Sequence, residues 1–394
     1  MMHARRRTTV GKIVLHACMV CLPSFASTTF AEESPAPVEA RIPFAPSPFA
    51  GSDGAMHLAY ELQVTNVYGD TGTLLPRSLD VLDERDHVLL HLDEAGVAAT
   101  IRPVPDDGKP AGIAAGKRGT VFVWITLPPG VAPPHRLHHR LAFIDEKGQR
   151  SRVEGVPVAV SDRPAPHLGA PLKGGMWLAH EGPGNAHSHH WGSLVAVNGM
   201  LTIPQRFAID FVGIDKRGLA FRKVKDIHAT TYADWFGYGA EVIAVGNGTV
   251  VAMRDGQAEN KPLEAQPEPA SLTLDGLFGN YVVIDLGGGN FAGYAHLKRG
   301  SVAVKVGDVV ARGQVIGALG QSGNSAAPHL HFQVTNAATF EGSEGVPYVF
   351  DRLDSYGPES EEQLFGMGER WKPAKVTQGA GVLPLSDTVV AFPR

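Results

Sequence analysis

The sequence predicts an all-β protein. Its apolar residues recur at every second position over short runs, the spacing of a half-buried strand. Punctuation by 46 glycines and 29 prolines supplies the turns such a chain needs. Residues 46–160 carry several such runs and no helical period. A length of 394 residues also exceeds one ordinary domain, so two or more units are expected.

The first 31 residues read as an export signal. Arg5, Arg6, Arg7 and Lys12 precede the apolar stretch "IVLHACMVCL", and Thr29 and Ala31 suit a cleavage after Ala31. The stretch is shorter than the ~20 residues a membrane span requires. Both cysteines, Cys18 and Cys21, fall inside this signal. The mature chain then has no thiol, so disulfides and thiolate metal sites are excluded, and any metal must take His, Asp or Glu. Loss of the four basic residues leaves 31 basic against 40 acidic groups, a formal charge of −9. That balance argues against nucleic acid as a partner. No later segment has the unbroken apolar run of a membrane helix, so no stable membrane insertion is expected once the signal is gone.

Residues 32–45 are rich in Pro and Glu and read as a linker. Residues 46–160 follow as a β-sandwich-like domain. In "MHLAYELQVTNV", Leu58, Tyr60, Leu62 and Val64 share one face. In "GTVFVWITLPPG", Val121, Val123, Ile125 and Leu127 share one face, with Phe122 and Trp124 on the other. "HHRLAFIDEKGQRSRVEGVPVAV" reads as a hairpin turning at Glu146–Gly148, with His138 and His139 expected on its surface. A Pro/Gly-rich linker over 161–174 leads to a second strand-rich unit, 175–340. Within it, 254–276 is polar and proline-rich, and reads as an inserted surface loop. The tail, 341–394, is mixed, with a short helix expected in "SEEQLFGMGERW".

Chemistry concentrates in the second unit. After the loop "GQSGNSAAP", a strand begins on which His329, His331 and Gln333 share one face while Leu330, Phe332 and Val334 pack inward. Two imidazoles so placed converge on one small centre. "QRFAIDF" places Arg206, Ala208 and Asp210 on one face of another strand. "YAHL" ends a third with His296, and "VKVGDVVARGQVIGALG" follows as a turn-rich hairpin module.

The order from "YAHL" to "PHLHF", preceded by the strand pair "YGAEVIAVGNGTVVA", resembles the lysostaphin-type (LytM-like) zinc metallopeptidases over roughly 175–335. The resemblance implies a two-sheet β-roll and an enzyme that cuts peptides of bacterial peptidoglycan. It implies Zn2+ held by Asp210 and His331, with His329 and His296 as the catalytic pair beside it. Three protein ligands would leave a position for water, whose pKa falls toward ~7. The implied site of action is periplasmic or secreted.

One ligand of the family pattern is absent. Four residues before Asp210 stands Arg206, where a histidine is expected, and a guanidinium stays protonated and cannot ligate zinc. The substitute is expected in "NAHSHHWGSLVAVNG". An ideal turn at Asn198-Gly199 sets His189 on the face of Asp210, whereas divergent family members carry a histidine where His190 stands. His190 is the expected ligand and His189 the alternative. Arg206 is left to hold a substrate carboxylate or to brace Asp210. An inactive scaffold or activator of other wall hydrolases is the rival function, motivated by Arg206. A lipoyl-type carrier would need a modifiable lysine at the hairpin tip, where Gly307-Asp308 stands instead.

Overall fold

The computed structural model describes Met1 and residues 33–103, 111–266, 268–269 and 271–393. The expected signal segment and both cysteines lie outside them. Strands dominate the chain, and the protein is all-β.

Two five-stranded sheets make the first part. One is built on Met56–Asn66, which pairs antiparallel with Arg118–Leu127 from Met56 opposite Leu127 to Thr65 opposite Arg118. The other centres on Arg136–Ile144, between Arg150–Ala159 and Leu75–Asp83. Leu58, Tyr60, Leu62 and Val64 meet Val121, Val123 and Ile125 from their own sheet, and Leu79, Val81, Leu141 and Phe143 from the other. Each such side chain contributes about 1.5–3 kcal/mol when fully buried. The hairpin between Arg136–Ile144 and Arg150–Ala159 closes where the Asp145 carboxylate accepts the N–H groups of Lys147 and Gln149.

Two expectations fail here. Residues 32–45 hold strands Ser34–Pro35 and Val38–Arg41 at the edges of these sheets, where proline is tolerated. Ala36, Val38 and Ala40 pack against the core, a contribution that the Pro/Glu composition conceals. His139 is fully buried rather than on the surface. It alternates inward with Leu137, Leu141 and Phe143, its Nδ1 facing the Val156 carbonyl and its Nε2 meeting the Tyr60 hydroxyl at 2.6 Å. His138 points outward to Asp86.

The second part is built on a ten-stranded sheet. Its middle runs Phe291–Ala295, Leu330–Thr335, Ile209–Ile214, Met176–His180. A smaller sheet pairs Glu241–Ile243 with Val315–Ala318. The Val195–Val197 and Met200–Thr202 hairpin turns through Asn198 (φ 51°) and Gly199 (φ 77°), both left-handed as a type I′ turn requires. The 254–276 stretch has little regular structure among its described residues beyond helix Leu274–Leu277.

Residues from the expected linker 161–174 join this part, because Leu168 and Leu172 are buried in its core. The tail joins it as well. Leu353–Pro358, Thr377–Gly379 and Thr388–Ala391 extend the large sheet, and Val389, Val390 and Phe392 are buried. The expected short helix is Glu361–Leu364, capped by Ser360.

The two parts share apolar contacts. Ala59 and Phe122, on the outer face of the Met56–Asn66 sheet, cluster with Trp191, Phe207 and Ile209 of the second part. The strand face opposite the sandwich core is therefore itself covered.

Candidate metal centre

Asp210 is the focus of the site. It lies near the start of Ile209–Ile214, paired in register with His331 on one side and His180 on the other. Its Oδ1 is 3.0 Å from His331 Nδ1, 3.3 Å from His329 Nε2 and 3.4 Å from His190 Nε2. Its Oδ2 is 3.7 Å from His189 Nε2. Burial works against ionisation of this carboxyl, but His329 and His190, when protonated, outweigh it and hold Asp210 well below the usual carboxylate range.

The protons on these rings follow from what the remaining nitrogens touch. His190 Nδ1 donates to the Glu181 carbonyl at 2.9 Å. His329 Nδ1 donates to the Ala327 carbonyl at 2.7 Å. His331 Nε2 donates to the Gln333 side-chain oxygen at 2.9 Å. In each neutral ring the other nitrogen keeps its lone pair, and in all three cases that nitrogen faces Asp210. Lone pairs against a carboxylate repel unless a cation lies among them. Two of these atoms, His190 Nε2 and His329 Nε2, are buried with no hydrogen-bond partner among the described residues. The donor set fits zinc, which takes imidazole nitrogen and carboxylate oxygen.

His189 and His190 differ in setting. The ligand atoms of His189, His190 and Asp210 all lie within 4.8 Å of one another. The His189 side chain, however, is 63% exposed and approaches the Glu181 carboxylate at 3.5 Å. That of His190 is 1% exposed, and burial pushes its pKa down to about 4 although Asp210 pulls the other way. Both belong to the turn that precedes Val195–Val197, not to its ladder, so register counting from Asn198-Gly199 does not reach them. His187 lies apart from Asp210, against Arg102.

His296 follows Phe291–Ala295 with a left-handed backbone, φ 60°. Its N–H donates to the Phe278 carbonyl and its Nδ1 to the Ser322 carbonyl, both at 2.8 Å. The ring stands 4.8 Å from that of His329 and 5.8 Å from that of His331. Burial, then the neighbouring His329 and His331, holds its pKa well below the ordinary imidazole value.

Arg206 is not at this centre. It sits in a turn before the Ile209–Ile214 strand, so the alternation extrapolated from Asp210 does not apply to it. It is buried and pairs with Glu61 of the first part and with Glu344, 2.6 Å away. Bracing Asp210 and holding a substrate carboxylate are both set aside by this pairing.

The centre lines a cavity of about 920 Å³, walled by Trp235, Leu263, Phe278, Phe340 and Phe365 among others. Trp235 is both buried and groove-lining. Glu181, whose carbonyl orients His190, escaped sequence reasoning, as did the partner of His180, the Asp387 carboxylate 3.0 Å away. The one available signal was that "HLHFQ" sets Gln333 on the face of His331.

Residues 233–342 match the model of peptidase family M23. That stretch is an M23-like domain. The match includes His296, His329 and His331 but stops short of Asp210 and the His189–His190 turn. The domain resembles peptidoglycan DD-endopeptidase ShyA of Vibrio cholerae, with 45% identity over 56 residues, 14% of this chain and 13% of that protein. It also resembles glycyl-glycine endopeptidase ALE-1 of Staphylococcus capitis, with 42% identity over 67 residues, 17% and 18% of the two chains. The chain thus spans less than a fifth of either relative. Among solved structures, the catalytic domain of lysostaphin from Staphylococcus simulans aligns at 23% identity, covering 44% of this chain and 88% of that one, with a TM-score of 0.23. No helix among the described residues is long and apolar enough to cross a membrane.

Proposed function

We propose that the protein is an exported zinc metalloendopeptidase that hydrolyses peptide bonds in bacterial peptidoglycan. One observation carries the reading: His190 Nε2 and His331 Nδ1 both approach Asp210 Oδ1, at 3.4 and 3.0 Å, beside His329 and His296. His190, Asp210 and His331 are the ligands. Zinc held there supplies a Lewis acid that polarises a carbonyl and acidifies water.

This chain's own residues do the rest. The Nδ1 proton of His296 is committed to the Ser322 carbonyl, so its Nε2 lone pair faces the site. His329, likewise tethered through Nδ1, presents Nε2 beside Asp210. A protonated ring at either position donates to the oxygen on which negative charge develops. The apolar walls seat an extended peptide and exclude bulk water. Two features of the sequence support export and wall peptides: the signal-like N-terminus and the likeness to a peptidoglycan DD-endopeptidase and a glycyl-glycine endopeptidase.

The test uses the purified mature protein. Bound zinc is counted, and soluble muropeptides released from isolated cell wall are measured for wild type and for His329→Ala. Release that depends on both zinc and His329 supports the reading. A zinc-loaded protein that releases nothing leaves a scaffold role; a protein that takes up no zinc removes the hydrolase assignment.

A further inference from the structure

The turn carrying His189 and His190 does not stand on its own unit. Trp191, the next residue, is buried, and its indole N–H donates to Glu61 Oε1 at 2.7 Å. The same Glu61 oxygen accepts from Arg206 Nε at 2.9 Å. Phe122 and Trp124 of the sandwich pack edge-on or tilted against the Trp191 ring, at 5.6 and 5.7 Å. Arg102, also from the sandwich, donates to the Ala186 carbonyl at 3.3 Å and meets His187 Nδ1 at 3.0 Å. The turn is thus gripped near both ends by the first part of the chain, while His190 between the grips points at Asp210.

We propose that Trp191 and Glu61 are positioning residues for the metal centre: the sandwich seats the turn so that His190 completes the ligand set, and the M23 domain alone holds an incomplete one. The inference rests on the zinc reading above. It also gives Arg206 a role. Where the family pattern has a ligand, this chain has the cation that locks Glu61 in place, and the ligand is delivered from a turn seated by a different part of the molecule. A ligand on a strand is fixed by the ladder. One on a turn needs an outer partner, and loss of such partners lowers metal affinity about 10- to 100-fold.

The experiment measures zinc affinity of the full mature chain by chelator competition, with histidine-ring NMR of the metal-free protein as a second readout. Trp191→Phe keeps the ring and removes the N–H; Arg102→Ala loosens the other grip and carries the test if Trp191→Phe does not fold. In a variant whose thermal unfolding remains cooperative, zinc affinity falls about 10- to 100-fold and the His190 ring signals shift or broaden. Folded variants that bind zinc like wild type, with unchanged ring signals, overturn the inference alone. A wild-type protein that binds no zinc overturns it together with the zinc reading.

Discussion

His331 Nδ1 stands 3.0 Å from Asp210 Oδ1, and the two residues face each other directly across neighbouring strands. Gln333 takes the proton of the other His331 nitrogen, so what meets the carboxylate is a lone pair. The same holds for His190 and His329, tied to backbone carbonyls. Lone pairs set around one carboxylate in this way favour a cation among them.

His190→Ala is expected to abolish tight zinc binding, with a loss larger than the roughly 100-fold that removal of an outer-sphere partner causes. His189→Ala is expected to leave zinc affinity within about tenfold of wild type, because His189 is exposed and oriented by Glu181. Isothermal titration on both variants separates the two histidines. The reverse ranking would assign the ligand to His189.

Gln333→Ala is expected to lower zinc affinity about 10- to 100-fold without moving the fold. It frees His331 Nε2 from the oxygen that fixes its tautomer. Equal zinc affinity in wild type and variant would show that strand geometry alone holds the ring.

Arg206→Met is expected to destabilise the protein by about 3–5 kcal/mol, the cost of leaving buried charges unpaired. Glu61 and Glu344 would face each other without their shared guanidinium. Adding Glu61→Gln is expected to recover part of the loss. Denaturant unfolding at pH 7 reads both; a change below about 1 kcal/mol would mean that the triad does not couple the two parts.

The buried His139 makes the sandwich acid-sensitive. Burial lowers its pKa from 6.5 to about 4, so below pH 6.5 the unfolded chain binds the proton first. Its stabilising contribution is intact above pH 6.5 and falls away as the pH drops toward 4, by at most about 3 kcal/mol. The difference between wild type and His139→Gln in urea unfolding from pH 7 to 4 isolates this slope. A pH-independent difference would place a charged imidazole in the folded core.

Local pattern carried much of this structure. Alternation set Leu58, Tyr60, Leu62 and Val64 inward, and the same rule set Phe122 and Trp124 on the opposite face, where they turn out to hold Trp191. It also sets His139 inward, although both histidines of that pair, lying near a strand start, were expected on the surface. What lay beyond pattern is long-range. Glu61 and Arg206 are 145 residues apart, and nothing in either neighbourhood announces the pairing. The tail strands add to a sheet begun far upstream. His190 sits in an irregular turn, where periodicity has no purchase, and its orientation depends on the Glu181 carbonyl.

The most direct measurement is a crystal structure of the zinc-soaked protein with anomalous data at the zinc edge. One strong peak is expected at about 2.0–2.2 Å from His190 Nε2, Asp210 and His331 Nδ1, with His189 outside bonding distance. A peak bound through His189 instead, or no peak between Asp210 and these rings under saturating zinc, would contradict the assignment.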